Sequence, residues 1–227
     1  MKKIIFIAYL FLLASNSYSQ DLSEIKFSNA STLSFFSFLT DQKIVIRVSP
    51  DGKINEWGNI WEKGYYNYQP GKLQEYMGRV EYYGTEADSI NRGKVKNIGT
   101  CYITYYGKFD IATNAGKVKS IGRTYLDYYT NFDNDASEGK LKSAGNTMFA
   151  YYNSFDNIAV KGKLKSVGAN QINYYNSFDD KKIQGKVKSI GSVNYVWYNS
   201  NDRREYQGSL KSGSIEQVIN GIKYIIQ

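Results

Sequence analysis

From residue 94 onward lysines recur in pairs: Lys94 and Lys96, Lys117 and Lys119, Lys140 and Lys142, Lys163 and Lys165, Lys186 and Lys188. Each pair is followed by adjacent aromatic residues, Tyr105-Tyr106, Tyr128-Tyr129, Tyr151-Tyr152, Tyr174-Tyr175 and Trp197-Tyr198. Ammonium groups attract anions. A ring beside a lysine gives its stem an apolar bed and its charge a cation–π partner, worth about 0.5 to 1 kcal/mol at an exposed site. These residue types point to holding a polymer rather than to making or breaking bonds.

The rest of the composition agrees. Histidine is absent and the chain has a single cysteine, which removes an imidazole base, a Cys/His zinc set and an internal disulfide. Asp133 and Asp135 lie in one loop and Asp179-Asp180 in another. They lack the glycine and terminal glutamate of a helix–loop–helix calcium site and read as Asx caps of turns. Asp127 is a lone acid in a tyrosine-rich segment, and one acid is not the carboxylate couple of a glycosidase. No catalytic residue, cofactor or metal is expected. The alternative reading is a glycan-processing enzyme or a carbohydrate-binding accessory protein.

The spacing that sets out the lysines is a 23-residue repeat, marked by Gly93, Gly116, Gly139, Gly162, Gly185 and Gly208. Counting from each of the first five of these glycines, the lysines fall at offsets one and three and the aromatic pair at twelve and thirteen. An aspartate follows at offset seventeen: Asp110, Asp133, Asp156, Asp179 and Asp202. Looser copies begin at Gly52 and Gly71, and divergent ends on a regular array read as caps. Alternation of Ile183, Gly185 and Val187 with Gln184, Lys186 and Lys188 predicts a strand, and 170–175 predicts a second. Gly168-Ala169 between them suits a tight hairpin turn, since glycine accepts positive φ at little cost. The longer link 176–182 is rich in turn formers, and its Phe178 is expected to fold back onto the sheet.

These signals predict an all-β protein, an antiparallel meander of 23-residue hairpins in an open or curled sheet, after an N-terminal signal-peptide helix. The alternative is a parallel β-solenoid. In a parallel stack equivalent lysines would lie about 4.8 Å apart, whereas in a meander an intervening strand separates them by about 9.6 Å. Like charges therefore favour the meander. A propeller ranks third, and a membrane barrel lower still, because strands of about seven residues fall short of the 9 to 11 required. Strand alternation predicts that the two lysines of a unit share a face, with one tyrosine column beside them. The candidate binding residues are the ten lysines above together with Tyr106, Tyr129, Tyr152, Tyr175 and Tyr198. The same face also reads as a plain solvated sheet surface, with lysines opposing aggregation.

The period, the Tyr and Gly content and the hairpin logic of residues 93–207 resemble MORN repeats, with Ile183-Gln-Gly185-Lys-Val187 as the nearest counterpart of that family's core step. The resemblance implies 23-residue β-hairpins stacked into an elongated sheet and supplies no catalytic residue. The words GKVKSIG and YYNSFD are also similar to those of exported bacterial repeat proteins. The chain divides into a leader at 1–19, an N-terminal cap at 20–48, divergent repeats at 49–92, regular repeats at 93–207 and a C-terminal cap at 208–227. Residues 22–48, with Phe35, Phe36 and Phe38 near Ile44 and Ile46, are expected to cover the apolar face of the sheet or to cap one edge.

Lys2 and Lys3, the apolar run Ile4 to Leu13, and Ser17 and Ser19 before Gln20 follow the order of a secretory signal peptide. The run is too short to span a bilayer as a helix, and no later segment is long and apolar enough to do so. Cleavage before Gln20 is expected, giving a periplasmic or secreted product. Loss of the two lysines lowers the formal charge of +8 by two, and the chain stays basic. The partners this implies are an acidic glycan, lipopolysaccharide or another cell-surface polymer, and not nucleic acid. Cys101 reads as packing in a strand, with a reactive thiol as the alternative.

Overall fold

A computed structural model describes residues 21–61 and 71–227, so the expected leader and its helix lie outside the described residues. The regular structure is β throughout, in two open sheets and one short ribbon. The first sheet contains β1 (Asp21–Ser28), β2 (Thr32–Leu39), β3 (Ile44–Val48), β4 (Ile54–Ile60) and β5 (Leu73–Glu75) as an antiparallel meander. The second is an 11-stranded meander that opens with β6 (Val80–Tyr82). It continues through the pairs β7 (Val95–Ile98) and β8 (Cys101–Tyr105), β9 (Val118–Ile121) and β10 (Thr124–Tyr128), and β11 (Leu141–Ala144) and β12 (Thr147–Tyr151). The pairs β13 (Leu164–Val167) and β14 (Asn170–Tyr174), then β15 (Val187–Ile190) and β16 (Val193–Asn194), complete it. A ribbon of β17 (Val196–Trp197) and β18 (Leu210–Ser212) follows. The chain then returns to the first sheet as β19 (Glu216–Ile219) and β20 (Ile222–Ile226), with β20 parallel to β1.

Each repeat is the predicted hairpin. β15 pairs antiparallel with β16, Ile190 opposite Val193, across Gly191-Ser192, and Tyr195 N donates to Lys188 O at 2.9 Å. Gly191 has φ +54°, the left-handed conformation that this two-residue turn needs at its first position. The array is thus a meander and not a solenoid, as the lysine spacing argued.

Two details differ from the strand pattern. The strands β7 to β15 are four or five residues long, the last unit's second strand is broken into β16 and β17, and the first strand begins at offset two rather than earlier; residues 181–186 form turns, with Lys186 N donating to Ile183 O at 3.0 Å. The register also jumps once per unit. Asp127 faces Ser143 and Tyr128 faces Leu141, so Lys142 has no opposite residue. The same jump recurs beside Tyr105, Tyr151 and Tyr174. Such a β-bulge breaks period-two alternation. Leu141 and Ala144 are consequently both buried while Lys142 and Ser143 are both half-buried.

The first sheet covers the apolar face of the repeats, one of the two roles expected of residues 22–48. Phe36 meets Phe149 edge to face at 4.7 Å between centroids, within one core that includes Ile25, Phe38, Ile46, Leu126, Ile172 and Tyr224. Turns of the covering sheet also satisfy backbone donors of the repeats beside the bulge. Val118 N donates to Gly52 O at 2.9 Å, Leu141 N to Pro50 O at 2.9 Å and Val187 N to Ala30 O at 2.7 Å. A buried unpaired amide would cost about 1–3 kcal/mol, so these bonds hold the layers in register as well as in contact. Gly52 has φ +81°, and a Cβ there would lie 2.6 Å from the Tyr128 ring. At the far end Asn170 Nδ2 donates to Tyr224 Oη at 3.0 Å, which ties β20 to the repeats.

Candidate functional site

The lysines and tyrosines do come together, but in two separate columns. At offset one, Lys94, Lys117, Lys140, Lys163 and Lys186 lie over Tyr105, Tyr128, Tyr151, Tyr174 and Trp197 of their own units, with ammonium-to-centroid distances of 4.9, 5.0, 5.1, 5.4 and 4.7 Å. Their protons go to the next unit. Lys117 Nζ donates to Gly139 O at 2.5 Å, Lys140 Nζ to Gly162 O at 2.5 Å and Lys163 Nζ to Gly185 O at 3.1 Å. Lys94 Nζ donates to Gly116 O in the same way. Lys163 Nζ also donates to Ser31 O at 3.0 Å, joining the covering sheet. Burial pushes the pKa of all five below the ordinary lysine value. Four of these cations are thereby committed as structural ties between units.

The second column is the freer one. At offset three, Lys119, Lys142, Lys165 and Lys188 lie over Tyr106, Tyr129, Tyr152 and Tyr175 of the preceding unit at 5.2, 5.2, 5.3 and 5.3 Å. Lys96 over Tyr83 at 5.7 Å and Lys211 over Tyr198 at 5.1 Å extend it at both ends. Tyr83 and Lys211 escaped the sequence reading because their units are degenerate, although carrying the same offsets one step outward finds both. The two lysines of a unit therefore serve different tyrosine columns. Simple alternation had joined them, and the bulge at the offset-three lysine separates them.

The tyrosines of this column are fixed by their hydroxyls. Tyr106 Oη donates to Leu126 O at 2.9 Å, Tyr129 Oη to Phe149 O at 2.8 Å, Tyr152 Oη to Ile172 O at 3.0 Å and Tyr175 Oη to Tyr195 O at 3.1 Å. Each ring so bridges to the next unit and offers a rigid bed for its lysine. Desolvation raises the pKa of Tyr106, Tyr129, Tyr152 and Tyr175, so these phenols are neutral donors at physiological pH.

Carboxylates compete for only part of the column. Lys142 is 3.6 Å from Asp133, Lys96 is 3.9 Å from Glu86 and Lys211 is 3.1 Å from Asp202. Among the described residues Lys119, Lys165 and Lys188 have no carboxylate within ion-pair distance. The result is a file of ammonium groups, spaced at about 9.6 Å by the intervening strands.

The acids named from sequence sit in local turns. Asp133 Oδ2 accepts from Thr130 N at 2.8 Å and Asp179 Oδ2 from Asn176 N at 2.6 Å, the Asx-capping role. That backbone bond is the main reason the Asp133 carboxyl lies below its ordinary pKa. Asp127 Oδ1 accepts from Tyr128 N at 2.9 Å. Among the described residues no group of three or more His, Cys, Asp or Glu could hold a metal ion, and no helix is long and apolar enough to cross a membrane. Cys101 is buried, and burial pushes its thiol up to about 11, which makes it packing rather than a nucleophile.

The fold defines a class: a two-sheet all-β protein whose larger sheet is a hairpin-repeat meander. No protein-family model, curated protein or solved structure matches the chain.

Proposed function

We propose that this is an exported, non-catalytic binding module whose offset-three lysines hold an extended acidic polymer, such as an acidic polysaccharide or lipopolysaccharide at a cell surface. The observation that carries the reading is the file of Lys119, Lys142, Lys165 and Lys188, each ammonium stacked on a fixed tyrosine and three of them without a carboxylate partner among the described residues. One exposed ion pair contributes about 0–1 kcal/mol, so a single lysine would bind nothing useful. A polymer that engages one lysine brings its next charge close to the following one at high effective concentration, and the small terms add. The offset-one lysines belong to the scaffold in this reading and not to the site.

The experiment compares the exported protein with its Lys119→Glu, Lys142→Glu, Lys165→Glu, Lys188→Glu variant for binding to polygalacturonate oligomers of graded length and to lipopolysaccharide. Wild-type affinity should rise with oligomer length and fall with salt, because exposed charges are screened over about 8 Å at physiological ionic strength. The variant should lose binding and keep its β-sheet spectrum. Undiminished binding by the variant would discard the site, retention of the protein in the cytoplasm would discard the export, and an exported fraction retaining Met1 would discard cleavage before Gln20.

A further inference from the structure

Four phenylalanines stand out of the protein in a row. Phe109, Phe132, Phe155 and Phe178 occupy one position, offset sixteen, in successive units, and are 91, 86, 94 and 92% exposed. Phe178 does not fold back onto the sheet as its apolar character suggested, because its turn is closed by polar groups that leave the ring outside. Asn176 N donates to Asp179 Oδ2 at 2.6 Å and Phe178 N to Asn176 Oδ1 at 2.8 Å. Asn153, Phe155 and Asp156 repeat the arrangement. Neighbouring links are latched to one another as well: Ser154 N donates to Asn134 Oδ1 at 3.1 Å, and Ser177 N to Asn157 Oδ1 at 3.0 Å.

The rings do nothing for the turn. In the fifth unit Asn201 takes the place of phenylalanine, and the turn keeps the same bonds, Asn199 N to Asp202 Oδ2 and Asn201 N to Asn199 Oδ1, both at 2.8 Å. At this exposure they do nothing for the core either. Glu86 occupies the same position one unit before the row, so polar residues bound it at both ends. A regularly spaced row of exposed rings on hydrogen-bonded turns, with Ile158 at 83% exposure in one of the links, is apolar surface of the kind that marks an interaction site.

We infer that this row is a self-association surface on which a second copy of the chain docks antiparallel, Phe132 against Phe155 of the partner subunit and Phe109 against Phe178 of the partner subunit. Three observations favour this occupant. The row has a pitch of about 9.6 Å, set by two strand spacings, and a second copy carries the same pitch by construction. Four phenylalanines present about 600–1,000 Å² on each copy, which reaches the roughly 1,200–2,000 Å² of a stable interface when both sides are counted. Charge sets the direction. Link 130–138 carries Asp133, Asp135 and Glu138 with no cation of its own, Lys142 of β11 pairing with Asp133, whereas link 153–161 balances Asp156 with Lys161. A twofold axis between Phe132 and Phe155 lays one link against the other, while parallel docking would lay the acidic link on itself. The same acidity disfavours an anionic membrane as the occupant.

Sedimentation of the purified protein over a range of concentrations tests the inference, beside the variant Phe109→Asn, Phe132→Asn, Phe155→Asn, Phe178→Asn. Asn201 already shows that the turn accepts this residue. A wild-type dimer that becomes a monomer in the variant, with an unchanged thermal melt, is the expected result. Oxidation should cross-link the Phe132→Cys, Phe155→Cys double variant and neither single variant. A wild type that stays monomeric, a dimer that survives the four substitutions, or cross-linking by the single variants would overturn the proposal. So would a monomer whose phenylalanines are needed instead to sediment with neutral lipid vesicles or insoluble cellulose. None of the four phenylalanines is a residue of the lysine file and the two variants share no substitution, so either proposal can fail without the other.

Discussion

The covering sheet and the repeat sheet bury charged groups by different means. In the covering sheet β3 is buried along its whole length, and it carries Arg47 with a side chain only 5% exposed. That guanidinium is held by Glu24 at 3.3 Å and by Glu56, over the Phe35 ring at 4.3 Å. The network occurs once, and breaking such a pair from one side typically costs about 3–5 kcal/mol. The repeat sheet half-buries Lys94, Lys117, Lys140 and Lys163 against rings and glycine carbonyls instead. A device that must recur in every unit has to tile. A lysine bonded to the backbone of the next unit does so whatever the side chains there, and it spreads the energy over many small contacts.

Alkali should separate the two regions most sharply. The pKa of Tyr128 and Tyr174 lies well above the ordinary 10.0, with burial the first cause, and burial raises Tyr105, Tyr106 and Tyr151 as well. Among the described residues of the first sheet's strands only Tyr224 is so affected, pushed up to about 12. A phenol whose folded pKa exceeds its unfolded value contributes stability that is complete below pH 10.0 and is lost as pH rises beyond it. The half-buried lysines act in the opposite sense, since their lowered pKa means that deprotonation relieves a desolvation cost, but they are fewer. Loss of the repeat sheet above pH 10.0, with tyrosinate absorbance appearing cooperatively, is the expected outcome. Gradual titration with the circular dichroism intact would mean the phenols are not held as described.

A substitution at the seam comes next in size. Phe36→Ala removes a fully buried ring that packs on Phe149, and should cost about 3–5 kcal/mol in urea unfolding. If the layers fold as one unit, probes in both should shift to the same lower midpoint. A repeat sheet that melts unchanged would show the comparison to be between two independent bodies.

The smallest expected effect tests the repeats against each other. Tyr128 Oη donates to Val118 O at 2.8 Å, Tyr174 Oη to Leu164 O at 2.9 Å and Trp197 Nε1 to Val187 O at 2.7 Å. The buried Tyr151 hydroxyl has no such partner. Tyr128→Phe should therefore destabilise by about 0.5–1.5 kcal/mol, while Tyr151→Phe should be neutral or stabilising. Equal losses at both positions would mean that Tyr151 does find a partner.

The sequence by itself determined the repeat, its hairpin turn and its antiparallel order. These follow from the fixed 23-residue spacing, a glycine suited to positive φ and the repulsion of stacked lysines, all local or periodic properties. It also determined that Asp133 and Asp179 cap turns, since an Asx cap needs only its own neighbours in the chain. Only the tertiary structure decided which lysines are free. A bulge residue is invisible to a period-two count until its partner strand is in place, and it is at Lys142 and its equivalents that the alternation fails. The division of labour between the lysine columns depends on glycine carbonyls a whole unit away and, for Lys163, on Ser31, distant in the chain. The exposure of Phe178 belongs to the same class. Composition says that a phenylalanine prefers burial, but the apolar face was already filled by Phe36, Phe38 and Ile46 of the other sheet, and the polar turn held the ring in solvent.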